Sequence, residues 1–548
     1  MNKALVISIS ILLLSLFVKS QTSATLIDTT LNYKVQHDVT LDTATRVYDN
    51  IKVVKPKIKV EEQTYQELDK EAELNKIAPR IVAYRITPPS KSPLFKNYLR
   101  AGFGNYVTPY VDLYTMSGRS EDYQYGVHFK HRSSINGPVD GKNSGQSLNV
   151  GDVFVDYKLS DKLKFGGDVK YNRDMIHFYG YNQELYKEVD ADSIKKVYNS
   201  IDVMLNTQYE FNDELSISPS LGYRTTSSTT DNKEADIKLG ISSVYKLYDN
   251  KVGLDFDGYI SQYDDVETYS RNFFKFKPYY QFNLSDFHFD FGMNLVFESD
   301  TLNGEKGSHF YPFFDFKYLV SEAIGLQLYG GLGGDMRRNT YQSFLKENLY
   351  LSDQLFINNT NELLNMYIGA NSRLVDGLVL DLSMSYKSLR NLHYFVNSSF
   401  DRSRFDIIYD DKDVKLFDVD ADLSYTFNKN LLIEWKNVFH SYSNFSPEKI
   451  IHRPNYEMDL ITTYRLHDKV LIGLDAFYLG GLNAYDPEKL TFTKLDGIFD
   501  VSLNMEYRLN RRISGFAEIN NLLSKQYQRY LFYKAKGINF LLGATVSF

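Results

Sequence analysis

From about residue 97 to residue 548 the chain repeats one pattern: apolar and polar residues alternate over eight to twelve positions, stop at a short polar cluster, and begin again. Phe287, Phe289, Phe291, Met293, Leu295 and Phe297 alternate with His288, Asp290, Gly292 and Asn294. Phe274, Phe276, Tyr280, Phe282 and Leu284 interleave with Lys275, Lys277, Gln281 and Asn283, and Phe499 to Leu509 repeats the scheme. Successive strand side chains point to opposite faces, so each segment carries one apolar and one wet face. A soluble sandwich has shorter strands of five or six residues. Ten-residue amphipathic strands suit a tilted crossing of a lipid bilayer. The pattern therefore predicts an all-β fold, a transmembrane antiparallel β-barrel.

The connections supply a count. Tight polar turns are expected near residues 118–122, 160–162, 212–214, 248–250, 285–286, 321–323, 375–377, 428–430, 467–469 and 510–512. Longer loops are expected at 133–146, 175–195, 224–232, 337–362, 391–412, 442–455, 480–494 and 524–536. Tight turns on one side and long loops on the other are the layout of an outer-membrane barrel with periplasmic turns. Ten turns imply about 22 strands, with 20 and 24 as neighbouring counts. Two places are irregular: Pro109 falls in a very short first loop, and a strand within 390–413 is expected to bend or break.

Residues 1–20 read as an export signal, with Lys3 before the apolar run 4–18 and Gln21 as the first mature residue. No later stretch is long and uncharged enough for a membrane helix, in keeping with a mean hydropathy of −0.36. Residues 21–93 form a polar N-terminal segment on the periplasmic side or in the lumen, and 94–548 form the barrel. Within the segment, Lys52, Lys55, Lys57 and Lys59 make a basic run, a solvated face or a contact for an acidic partner. Tyr65, Leu68 and Ala72 share one face of a short helical stretch that needs a surface to pack on, so they mark a candidate plug or partner helix; a flexible tether is the alternative.

The last strand places Phe540, Leu542, Ala544, Val546 and Phe548 on one face, with an aromatic as the final residue. Together with Asn521-Leu522-Leu523, Tyr527, Gly537 and Gly543, it resembles the closing hairpin of TonB-dependent receptors. The resemblance implies a 22-stranded barrel in the outer-membrane lipid, an assembly signal read by the outer-membrane assembly machinery, and ligand uptake. The Tyr- and Phe-rich style resembles that of Bacteroidota proteins. Family members carry a longer N-terminal plug, however, and only 73 residues lie between Gln21 and the expected first strand. Val39-Thr40-Leu41-Asp42-Thr43 matches a TonB-binding box only loosely, which leaves TonB coupling open.

Catalytic chemistry is not indicated. None of the ten histidines sits beside a Gly-x-Ser-x-Gly turn, and His128 and His131 fall on opposite faces of one strand. Asp410, Asp411 and Asp413 lack the spacing of a calcium loop and read as a solvated tip. Gly330 to Gly334 lies inside a strand, where glycine serves curvature or close approach, and no phosphate loop adjoins it. No cofactor or metal is expected. A formal charge of −7 argues against nucleic acid. The outer loop 337–362, with Arg337, Arg338, Tyr341, Phe344, Tyr350 and Phe356, is the candidate binding surface for a ligand or a surface partner, and is equally suited to folding over the mouth. Two functions fit these features: passage of a solute, or a non-transporting barrel subunit or scaffold with a periplasmic or surface partner.

Overall fold

Alternation of period two is realised as a continuous wall. A computed structural model describes residues 94–230 and 232–548, in which 22 strands hydrogen-bond in sequence order. The first strand, Asn97–Gly104, pairs with the last, Asn539–Ser547, from Tyr98 opposite Ser547 to Gly104 opposite Leu541. Among the described residues the 22-stranded sheet has no free edge, which removes the main liability of a long sheet. The seam is locked at the terminus: Phe548 donates its N–H to the Asn97 carbonyl (3.0 Å) and accepts from Asn97 N–H (2.9 Å).

Register confirms which face is which. Lys275 lies opposite Asp257 and Lys277 opposite Asp255 on the lumenal side, while Phe274 and Phe276 lie on the lipid side opposite Gly258 and Phe256. Ile241, Leu205, Leu254 and Leu542 are among many apolar residues left exposed on the outside. Such exposure is unfavourable in water and favourable in hydrocarbon. Replacing mid-belt Ile241 by Arg is expected to lower folding stability in vesicles by about 2–4 kcal/mol. The lumenal neighbour Ser242→Arg is expected to change it far less. Urea titration of refolded protein measures both, and equal costs would contradict the assignment of faces.

The ten tight turns fall where the polar clusters predicted them. Two-residue connections need left-handed backbone that matches strand twist, supplied at Ser285 (φ 54°) and Tyr248 (φ 56°) and by Gly377 (φ 80°). Other expectations are corrected. The first loop is residues 105–107, and Pro109 lies inside the strand Thr108–Met116 opposite Phe103. Residues 390–413 contain no broken wall strand: the wall stops at Arg390, resumes at Val414, and a separate hairpin of His393–Asn397 and Phe405–Tyr409 stands between. Two outer connections, 265–267 and 301–305, are short, so the alternation of long and short fails there.

Strand length also departs from the eight to twelve residues read from periodicity. The nine strands from Gln146–Ser160 to Lys306–Ser321 have 14 to 17 residues. Those from Leu431–Ser443 through the seam to Tyr123–Ser134 have 8 to 13. The surplus lies at the outer end, where outward positions turn polar: Arg173, Asn199 and Lys233 lie beyond Tyr171, Ile201 and Ile237.

Candidate functional site

The site is the outer mouth, which the loops close. Its main element is the insert between the strands Leu326–Arg337 and Thr360–Val375. Both strands shift register at its base, between Gly333 and Asp335 and between Glu362 and Leu364. Bulges of this kind bend a strand and redirect the chain beyond it. The glycine run belongs to this device: a Cβ on Gly331 would lie 2.0 Å from the Asp315 carboxylate, and one on Gly334 would lie 2.8 Å from the Glu362 carbonyl.

The insert then forms the short helix Tyr341–Glu347. Thr340 starts it as a capping box, accepting from Ser343 N–H (2.9 Å) while the Ser343 hydroxyl accepts from Thr340 N–H (2.8 Å). Tyr341, Phe344, Leu345, Leu351, Leu355 and Ile357 are buried against Phe178, Tyr198, Tyr263, Phe395, Phe405, Tyr530 and Tyr533. Each such side chain stabilises the closed mouth by about 1.5–3 kcal/mol when fully buried. The partners come from three other loops and from the lumenal wall, so the cap is a small hydrophobic core set inside the rim.

Buried charges fasten it to the wall. Arg271 donates to Asp300 (2.7 Å) and to the carbonyls of Asn339 (3.2 Å) and Ile357 (3.3 Å), gripping both ends of the insert. Arg338 pairs with Asp236 (2.6 and 3.1 Å) and Ser261. The Asp353 carboxylate accepts from Lys196, from Arg404 and from the Thr230 hydroxyl (2.5 Å), and its carbonyl accepts from Asn232. One side chain thus joins a wall strand, the loop after Ser228, the insert and the hairpin containing Phe405. These cations hold its carboxyl below the ordinary aspartate value against the opposing effect of burial.

Below the cap the lumen changes character. Lys196, Tyr198, Glu234, Tyr263 and Arg271 are buried at the outer end, whereas Lys164, Gln208, Lys246 and Lys251 are exposed at the other. Among the described residues, the lumenal side chains are thus covered by loops at the outer end and left uncovered at the end of the tight turns. The lumenal wall is polar: His128 stands between Asp112 and Asp152 (2.8 Å each), and a recess of about 310 Å³ is lined by Asp152, Asp156, Asp168, Lys170 and Asn206.

Of the candidate loop residues, Tyr341 and Phe344 lie in the cap core, Arg338 is ion-paired, Tyr350 stacks on Tyr533 (3.7 Å), and Arg337 and Phe356 remain exposed. The closing-hairpin residues divide between the loop 521–538 and the last strand. Asn521, in left-handed conformation, donates to the carbonyls of Lys525 and Lys536 (2.7 Å each), and Leu522 N–H bonds to the Val501 carbonyl. Leu523 is exposed, Tyr527 donates to Asp500 (2.6 Å), and Gly537 packs near Ser524. Gly543 leaves room for the Ala101 carbonyl, and Phe540 and Phe548 face outward. Asp410 is engaged by Tyr394 and Ser446, and Asp413 by Arg390; among the described residues no group of three side chains is placed to hold a metal. Tyr65, Leu68, Ala72 and the export signal lie outside the described residues. The residues that sequence reasoning missed, Lys196, Asp353 and Arg404, carried no local signal.

The fold has known counterparts. The Escherichia coli ferric-catecholate import receptor Fiu superposes with a TM-score of 0.63 at 11% identity, over 83% of this chain and 82% of that one. The FrpB iron transporter of Neisseria meningitidis gives 0.65 at 10%, covering 84% and 82%. The copper transporter OprC gives 0.63 at 14%, covering 83% and 82%. The shared architecture is the closed 22-stranded barrel of TonB-dependent outer-membrane receptors, and the chain is an outer-membrane barrel. No family model matches the sequence, and no curated protein matches it either.

Proposed function

We propose that the barrel mediates or gates passage of a solute across the outer membrane, with the loop cap as its outer gate. The observation that carries this reading is the polar lumen covered at its outer end by loops rather than by the wall itself. In the same reading residues 1–20 direct export, and 21–93, including the face of Tyr65, Leu68 and Ala72, occupy the periplasmic side of the lumen or meet a partner there. Phe548 and its strand serve as the assembly signal. The likeness to import receptors supports solute uptake, and TonB belongs to the proposal only as a partner of those relatives.

A second reading, a non-transporting barrel subunit or scaffold of an envelope complex, draws support from the density of the cap core. Single-channel conductance of the purified mature protein and of a version lacking residues 21–93 separates the two. Passage predicts conductance that rises on the deletion, or on opening of the cap. Silence in both forms, persisting after the cap is opened by mutation, would overturn passage in favour of the scaffold.

A further inference from the structure

The cap contains two buried guanidiniums that differ from all its other fastenings. Lys196, Arg271 and Arg338 each pair with a carboxylate: Asp353, Asp300 and Asp236. Arg453 and Arg529, only 6% and 9% exposed, form no ion pair with any carboxylate among the described residues. Arg529 donates to the His452 carbonyl (2.5 Å) and Arg453 to the His393 carbonyl (2.8 Å). The Nε of Arg529 has no acceptor. The carboxylates closest in field are turned elsewhere: Glu347 to His393 (2.9 Å) and Glu457 to His440 (3.5 Å).

His452 lies in the same cluster, 3% exposed, with neither ring nitrogen bonded. Its ring packs on Tyr530 (5.2 Å) and Phe405 (5.6 Å), and Arg529 lies 5.3 Å from the Tyr530 ring centre. Neutral imidazole keeps one N–H, so the cluster offers a third uncommitted donor. Burying a cation without a partner costs several kcal/mol. Glu347 and Glu457 act on these two guanidiniums only through space, and neither makes a close ion pair with them, so both forks keep donor capacity for a negative group. The guanidinium fork matches carboxylate and phosphate oxygens, and the aromatic surroundings strengthen the attraction by excluding water.

We propose that Arg453 and Arg529, with the His452 N–H, form an oxyanion-binding site in the outer cap that takes a carboxylate or phosphate group of the solute. The site deepens the passage reading by naming the chemistry of what is admitted, and rests on that reading only for the ligand's fate.

Equilibrium dialysis of the full mature chain in detergent tests it, with radiolabelled inorganic phosphate in one series and radiolabelled succinate in the other, at constant ionic strength. Saturable binding of either is expected, weakened tenfold or more by Arg529→Gln and by Arg453→Gln. Lys187→Gln, which changes an exposed cation of another outer loop, is expected to leave it unchanged. Preference between the two anions tells phosphate from carboxylate chemistry. No saturable binding of either, or binding indifferent to both substitutions, would overturn the site. Heat-modifiable mobility on gels verifies folding, and Arg529→Lys, which keeps the charge but not the fork, substitutes if the glutamine variant fails to fold; it is expected to weaken binding as well. Binding without conductance would remove the passage reading and leave the site; conductance without binding would do the reverse.

Discussion

Asp353→Ala is expected to open the outer mouth without dismantling the barrel. The substitution strands Lys196, 2% exposed, and deprives Arg404 of one of its two carboxylates. Removing one partner of a fully buried pair costs about 3–5 kcal/mol, and the 32% exposure of Asp353 places this loss toward or below the lower end. That is a large share of what holds the insert, whereas the wall keeps its ladder of strand hydrogen bonds. In planar bilayers, the variant made in the protein lacking residues 21–93 is expected to conduct at least tenfold more often than its parent. Protease is expected to cut within 338–359 while the heat-modifiable barrel band survives. An uncut insert and unchanged current would show that Asp353 does not fasten the cap.

Acid is expected to loosen the same cap. Burial first, then the neighbouring Arg529, push the His452 ring down to about 3. The folded form is neutral, and an unfolded or released loop binds a proton near pH 6.5. The contribution of His452 is therefore whole above about pH 6.5 and falls steadily as pH drops toward 3, by about 2 kcal/mol at pH 5. Glu347 acts lower. Burial alone would raise its carboxyl, but His393, Arg453 and Arg337 bring it down to about 2. Its share is whole above about pH 4.5 and is lost between there and 2. Protease accessibility of the cap is expected to increase from pH 7.5 to 5, and His452→Gln is expected to flatten that rise. A profile that is level over this range in the parent protein would remove His452 as its cause.

How far the fold was legible depended on the range of the interactions. The wall was legible because its period repeats along each strand: Phe289 and Phe291 declare their face two residues apart, and Ser285-Asp286 announces its own turn. The count of 22 came from such local signals. The length of strands such as Thr268–Leu284 was not legible, because above the bilayer the alternation ends while the ladder of hydrogen bonds continues. The cap was illegible for a different reason. Arg338 is drawn inward because Asp236 awaits it about a hundred residues earlier, and Phe344 is buried because His393 and Phe395 close over it. Nothing near residue 353 in the sequence names Lys196 or Arg404. The glycine run signals curvature or close approach, but its neighbours are atoms of the adjacent wall strands, and its place at the base of the insert has no local signal.

The unequal strand lengths have a consequence for how the molecule is met from outside. About ten residues of tilted strand suffice to cross the hydrocarbon. The arc from Gln146 to Ser321 carries four to seven residues beyond that, roughly 13 to 23 Å of wall at about 3.3 Å each. The opposite arc, through the seam, carries almost none. The rim is therefore a slanted collar, high on one flank and low on the other. The low flank is also where the long connections 444–455, 481–497 and 521–538 are rooted, the first and last of them bearing Arg453 and Arg529.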